Sequence, residues 1–253
     1  MGGLRIAVLA GRGKTGRAVV SALAEVGVDA VPIGRVAPDE LPDQLVGCDA
    51  AYLIAPNMHP DEPVYAATVL DAARSAGVGR VVMHSVASPH APAMPHHLGK
   101  ARAEDLVRRW GGEWTILQPG AYLQNFPLDG SPIAVAYNPE ARFGFADLAD
   151  LGEVAATVLV EDGHHGATYE LASVAASVSE VAAAAGANVE VTTPELWADS
   201  DGAALDERVR DWIRAMFDYY DRHGLPVGTL PMRALLGRPA TTLEEAVARA
   251  TTG

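Results

Sequence analysis

The feature that most constrains this chain is Gly11-Arg12-Gly13-Lys14-Thr15-Gly16, a GxGxxG turn. Before it, residues 4–10 (Leu-Arg-Ile-Ala-Val-Leu-Ala) form a short apolar run that reads as a buried strand. After it, residues 15–26 place Ala18, Val19, Leu23 and Val26 at helical spacing, and Gly27 fits the stop. A strand that passes through three spaced glycines into a helix suits close approach of the backbone to phosphate. Gly11 is expected to permit the tight turn, Gly13 to let the backbone approach a pyrophosphate, and Gly16 to let helix and strand pack closely. Arg12, Lys14 and Thr15 fill the loop, and the helix N-terminus offers free N–H groups and the positive end of its dipole. The phosphate loop of NTPases is excluded, because it needs four residues between its glycines and then Gly-Lys-Ser/Thr.

The chain continues as an alternation of strands and helices. Strands are expected over residues 29–34, 49–55, 79–85 and 113–118, and helices over 63–76 and 97–109. The 63–76 helix is expected to turn Val64, Ala67, Leu70 and Ala73 to one side. Parallel strands need such crossovers, so the fold expected is α/β, a doubly wound parallel sheet of the Rossmann kind. Residues 120–146, rich in Pro, Gly and Asn, read as a loop region beside a site. Beyond them the pattern gives a helix at 150–160, a strand at 167–172, a short helix at 178–186 and an exposed strand at 188–193. An amphipathic helix at 203–222 carries Leu205, Val209, Trp212, Ile213, Met216 and Tyr219 on one face. The expected organisation is a dinucleotide-binding core over 1–150, with 151–253 supplying the remaining core elements and a small C-terminal α+β substrate lobe. Asp150 reads as a helix N-cap. The aromatic residues near 197–220 read as core packing or as a roof over an apolar pocket.

The end of the second strand separates two dinucleotides. A site for NAD expects Asp or Glu about 20 residues after the glycines. Residues 31–36 are Val-Pro-Ile-Gly-Arg-Val, with no acid and with Arg35, a residue that can pair bidentately with a 2′-phosphate. Arg12 and Lys14 can join it on the adenosine side. The cofactor expected is therefore NADP(H). Only Lys14 and Lys100 are lysines in a chain whose other 17 basic residues are arginine, which draws attention to both.

Charge and cysteine content narrow the partners. A net charge of −13 argues against nucleic acid, which needs a basic face. The single Cys48 excludes an internal disulfide and a multi-cysteine zinc site, and no HExxH-type spacing is present, so no metal is expected. The start Met1-Gly2-Gly3-Leu4-Arg5 carries no secretory pattern, and no apolar run reaches the roughly 18–20 residues of a membrane helix. A cytoplasmic protein without a membrane partner is expected, with an exposed helix face suited to a homodimer.

Several stretches together resemble the NmrA-like, atypical short-chain dehydrogenase/reductase family. They are Ala10–Arg17 (AGRGKTGR), Asp49–Pro56 (DAAYLIAP), Ala76–Ser85 (AGVGRVVMHS), Pro95–Glu104 (PHHLGKARAE) and Glu113–Asn125 (EWTILQPGAYLQN). Ala146–Ala156 and His223–Glu245 extend the match to nearly the whole length. The resemblance implies that Ile54, Ala55 and Pro56 line the cofactor after one strand, and that Ser85 and Val86 do so after the next. It implies that Lys100 reaches the nicotinamide ribose and that Pro119, Gly120, Ala121 and Tyr122 lie beside the nicotinamide, with Asn125 closing the motif. One departure stands out. The short-chain dehydrogenase tyrosine, four residues before the lysine, is here His96.

The function these readings favour is an NADPH-dependent reductase acting on a quinone-like or conjugated carbonyl molecule. Such a substrate delocalises its developing oxyanion and needs less acid assistance than a ketone. His84, His90, His96 and His97 cluster in sequence. His96 is chosen as the proton donor because it holds the tyrosine position and because histidine titrates near neutrality. A regular helix start is expected to turn only one of His96 and His97 to the pocket. Tyr122 is a second donor, and Lys100 the third member of the catalytic set. Two other classes stay open: a dinucleotide-binding redox sensor or regulator without turnover, and a non-redox biosynthetic enzyme such as a cyclase or dehydratase.

Overall fold

The computed structural model describes residues 3–252; Met1 and Gly2, which open the stretch read above for a signal, and Gly253 lie outside them. The first half follows the expected alternation: β1 (Arg5–Leu9), α1 (Lys14–Glu25), β2 (Asp29–Ile33), a short α2 (Leu41–Leu45), β3 (Ala50–Leu53), α3 (Glu62–Ala76), β4 (Arg80–His84), α4 (Pro95–Arg108) and β5 (Glu113–Pro119). Helix α2 is the addition, a single turn too short to show a period. The second half gives β6 (Ala121–Tyr122), a 3₁₀ turn (Leu123–Asn125), β7 (Ile133–Val135), β8 (Phe143–Ala146), α5 (Leu148–Val160) and β9 (Ala167–Leu171). It ends with β10 (Val174–Ala176), α6 (Val178–Ala185), β11 (Val189–Val191), α7 (Pro194–Asp199), α8 (Glu207–His223), α9 (Leu230–Leu236) and α10 (Leu243–Thr252).

Six parallel strands form the main sheet in the order β2-β1-β3-β4-β5-β9. Alternation along each strand divides its apolar side chains between two cores. Ala7, Leu9, Ala51, Leu53, Val81, Met83 and Ile116 meet α2, α3 and α4; Ile6, Val8, Ala50, Tyr52, Val82 and Leu117 meet α1, α5 and α9. The strand order reverses between β1 and β3. The connections leaving those two strands therefore go to opposite faces and leave a crevice at their C-terminal ends. The doubly wound α/β sheet expected from the sequence is the one observed.

Residues 120–146 are not a plain loop. They hold β6, β7 and β8, strands too short to show alternation. β8 pairs with β10 antiparallel and with β6 parallel, and β7 pairs with β11. A third core of Ile133, Phe143, Phe145, Val178, Val181 and Leu225 fills this lobe. Two further expectations need correction. The inner face of α3 carries Ala66, Val69, Leu70 and Ala73, while Val64 is 59% exposed. Alanine suits either side of a helix, so a stripe built largely of alanine fixes the rotation poorly. Asp150 is not the N-cap of α5. Asp147 is, accepting from Ala149 N–H, and Asp150 is buried inside the helix, accepting from Thr241 and Arg238. Among the described residues no helix is long and apolar enough to cross a membrane.

Helices α1 and α5 cross where Gly152 meets the backbone of Ala18. A Cβ on Gly152 would lie 2.7 Å from the Ala18 carbonyl oxygen. Gly152→Ala is expected to force the two helices apart, destabilise the fold by about 1–3 kcal/mol and lower Tm by several degrees in a thermal melt. An unchanged Tm would show that the crossing yields freely.

Candidate functional site

A cleft of about 1370 Å³ opens along the C-terminal ends of β1, β3, β4 and β5, with the lobe as its far wall. Arg12, Gly13, Lys14, Thr15, Gly16, Arg35, Ile54, Ala55, Pro56, Ser85, Val86, His96, Lys100, Pro119, Gly120, Ala121 and Tyr122 all line it. Gly11 does not. It is buried below the loop, where a Cβ would lie 2.7 Å from Cα of Pro32 in β2. The strained backbone of the turn falls not on Gly11 but on Ala10, at φ 49°. Gly16 meets the expectation of close packing, since a Cβ there would lie 2.3 Å from the Ala10 carbonyl oxygen. Gly13 caps α1 without any side-chain hydrogen bond, so the N–H groups of the first turn face the cleft for an anion to accept. The described non-glycine residues with positive φ are Ala10, Met58 and Ser88, in the loops that follow β1, β3 and β4. Strain of roughly 1–3 kcal/mol each is thus gathered at one edge of the sheet.

Arg12 and Arg35 are exposed at the β2 end of the cleft. Neither has an acidic partner among the described residues, and the Arg12 guanidinium lies over Gly34 at 3.9 Å from an ideal Cβ there. Lys14 does not join them on the adenosine side. Its Nζ donates to the Gln124 carbonyl at 2.9 Å and to Asn125 Oδ1 at 3.2 Å, tying the glycine turn to the segment after β6.

The middle of the cleft holds the titratable groups. His96 and His97 both line it, from the first turn of α4. The His96 ring packs against Trp212 at 5.9 Å, and His97 Nδ1 lies 3.0 Å from the Ala87 carbonyl. Burial, then the charge of Lys100, holds His96 at about 3, and burial holds His97 at about 4. The titration near neutrality expected of His96 is therefore displaced, and both rings are neutral at pH 7. Lys100 Nζ sits 2.5 Å from Oε1 of Glu62, a buried carboxylate at the start of α3 that the sequence reading passed over. An acid in the first turn of a helix reads as an ordinary dipole partner, so nothing in sequence marks it.

His84 carries more structure than its place among four histidines indicated. Its Nδ1 is 2.5 Å from the hydroxyl of Tyr52, and its Nε2 is 2.6 Å from the hydroxyl of Tyr122. Burial, then Lys100, holds His84 at about 3, and burial pushes both tyrosines above their ordinary range. The available signal was a polar residue ending an apolar parallel strand, where such sheets place their sites.

The lobe lines the far end with Tyr137, Phe143, Trp197, Met216, Phe217 and Tyr220. Tyr137 meets Phe143 at 5.5 Å and both Phe217 and Tyr220 at 5.7 Å, and Trp197 meets Phe217 edge-on at 5.0 Å. Trp197, Met216, Phe217 and Tyr220 line the cleft, and Phe217 and Tyr220 pack against the third core as well, so the two readings hold together for them.

A family model described as NAD(P)H-binding matches residues 21–162. The NAD(P)H azoreductase of Xenophilus azovorans is 28% identical over 225 residues, covering 82% of this chain and 77% of that protein. The crystal structure of the NADPH-dependent quinone oxidoreductase of Escherichia coli, complexed with NADPH, superposes with a TM-score of 0.81 at 22% identity, covering 96% of this chain and 99% of that one. The negative transcriptional regulator Nmra, in complex with NAD, superposes at 0.79 with 17% identity over 98% and 95% of the two chains.

The three depressed histidines make stability depend on pH. The unfolded chain binds protons near the ordinary value of 6.5, whereas the folded chain keeps His84, His96 and His97 neutral down to about 3 to 4. Their contribution is present above pH 6.5 and is lost as pH falls toward 4. By pH 5 the loss amounts to about 2 kcal/mol per histidine. Melts from pH 7.5 to 5 should show Tm falling steadily, before most carboxylates titrate, with a shallower slope for His84→Gln. A flat Tm over that range would contradict the burial of neutral rings.

Proposed function

The chain belongs to the NAD(P)H-binding family, by its relatives it is an NAD(P)H-dependent oxidoreductase, and we propose that it uses NADPH to reduce a quinone-like or conjugated carbonyl molecule. The observation that carries this reading is a single cleft with two chemically different ends. Arg12 and Arg35, without an acidic partner among the described residues, stand at the β2 end, and an aromatic wall stands at the lobe end.

The residues present fit the dinucleotide. The uncapped start of α1 suits a pyrophosphate, and the two arginines suit a 2′-phosphate by charge-assisted, bidentate hydrogen bonds. Ser85 and Val86 on one side, and Pro119, Gly120 and Ala121 on the other, would flank the nicotinamide, with Lys100, paired with Glu62, lining the same part of the cleft from α4. When bound, NADPH supplies a hydride. The protein's part is to hold and orient. Tyr137, Phe143, Phe217 and Tyr220 form an apolar wall that suits a planar ring system and keeps water from its face. A conjugated acceptor spreads negative charge over its π system, so a neutral hydrogen-bond donor suffices. Tyr122 has that character, and so has His96 in place of the dehydrogenase tyrosine. In this reading residues 1–150 hold the dinucleotide and supply Tyr137 and Phe143 to the wall, while 151–253 complete the sheet and add the roof over the acceptor.

Purified protein should oxidise NADPH when given menadione or 1,4-benzoquinone, and only slowly without them. Arg35→Ala is expected to raise KM for NADPH about tenfold to a hundredfold while leaving KM for NADH nearly unchanged, the loss expected for charge-assisted hydrogen bonds. Equal use of NADPH by wild type and variant would remove the NADPH assignment. Tight NADPH binding without turnover of any acceptor would instead favour a sensor.

A further inference from the structure

Tyr52 is fully buried in β3, and its side chain packs among Ile6, Val8 and Val19 on the α1 side of the sheet. Among the described residues its hydroxyl meets one hydrogen-bonding partner, His84 Nδ1 at 2.5 Å. That isolation fixes the direction of the bond. If the ring donated from Nδ1, the Tyr52 hydroxyl proton would be left without an acceptor in an apolar core. Tyr52 therefore donates and Nδ1 accepts. A neutral imidazole whose Nδ1 accepts carries its proton on Nε2. Nε2 lies 2.6 Å from the hydroxyl oxygen of Tyr122, so the ring donates there. The Tyr122 oxygen is then already engaged as an acceptor, and its own proton must point elsewhere. The directions left are the Thr15 hydroxyl beside it and the cleft that Tyr122 lines.

The burial that keeps His84 neutral is what the arrangement requires, because an imidazolium would donate from both nitrogens and turn the Tyr52 bond around. A donor on the Tyr122 oxygen also favours any charge that gathers there while its proton is shared outward, since bonds in such a chain polarise one another. Tyr52 does not line the cleft, so its influence on a ligand has to pass through His84.

We propose that Tyr52 and His84 are positioning residues that fix Tyr122 as a hydrogen-bond donor to the oxygen of a bound conjugated carbonyl on which negative charge develops. This rests on the reductase reading above. No residue of the chain loses a proton for good: the donor bond is shared during hydride transfer, and the product takes its proton from water.

The test is a double-mutant cycle with NADPH and menadione, backed by histidine ¹⁵N NMR. Tyr52→Phe removes one oxygen from a packed ring and should lower kcat about tenfold, with KM for NADPH unchanged and near-native far-UV CD. Tyr122→Phe should lower kcat at least as much. Adding Tyr52→Phe to Tyr122→Phe should then cost nothing further, whereas a merely structural role would cost the same in both backgrounds. His84→Gln, which keeps an N–H near Tyr122, should retain more activity than His84→Leu. Wild-type spectra should show the Nε2–H tautomer for His84. A Tyr52→Phe enzyme as fast as wild type, equal losses in both backgrounds, or an Nδ1–H tautomer would each overturn the proposal. A wild-type protein that shows the Nε2–H tautomer yet turns over no acceptor would overturn the reductase reading instead.

Discussion

The cleft depends on how closely α1 begins beneath the end of β1. Gly16 lies so near the Ala10 carbonyl that any side chain would collide with it, and Gly11 is pressed in the same way against Pro32 of β2. These two contacts hold the helix start level with the sheet edge. The first-turn N–H groups then open into the crevice created by the reversal of strand order. Ala10 takes the left-handed conformation that the close approach demands, although it has a Cβ and the following Gly11 does not. The strain at Ala10 is thus set by the packing of Gly11 and Gly16.

Electrostatics along the cleft are graded by desolvation. The chain carries a net charge of −13, yet the cleft presents Arg12 and Arg35 at one end with no acidic partner among the described residues. Further in, Lys100 is neutralised by Glu62, and His84, His96 and His97 are stripped of charge by burial beside that pair. At the lobe end the phenols of Tyr137 and Tyr220 are kept neutral by burial. Positive charge is therefore concentrated at the β2 end of the cleft, while aromatic side chains dominate the lobe end, where Asp201 is the acidic residue at the wall.

Much of this was legible in the sequence, and the remainder was not for identifiable reasons. The alternation of β1 to β5 with α1, α3 and α4 shows because each element is long enough to display its period. The glycine turn shows because its spacing is set by sterics rather than by side-chain chemistry. The lobe strands β6, β7 and β8 have two to four residues each, and no pattern survives at that length. The Tyr52–His84–Tyr122 chain joins three strands that are far apart in sequence, so only the parallel register of β3 and β4 and the path of β6 bring it together. Likewise the pairing of Lys100 with Glu62 is a contact between two helix starts, and the displaced titration of His96 is a consequence of burial that no spacing records.

Helix α8 shows what the lobe is built to do. Its sequence is strongly amphipathic, yet none of its residues is fully buried, whereas α5 buries most of its length between α1 and the sheet. The apolar face of α8 is only half covered because Met216, Phe217 and Tyr220 form a wall of the cleft, with Phe217 and Tyr220 also packed against the third core. Each apolar area left open there forgoes roughly 25 cal/mol per Å². A flat ligand that covers this face completes the burial, so binding and consolidation of the lobe share one source of free energy. A core-facing helix would gain nothing from a ligand. The incomplete side of α8 and the hydroxyl of Tyr122 line the same cleft, so apolar surface and a hydrogen-bonding group are offered to one space.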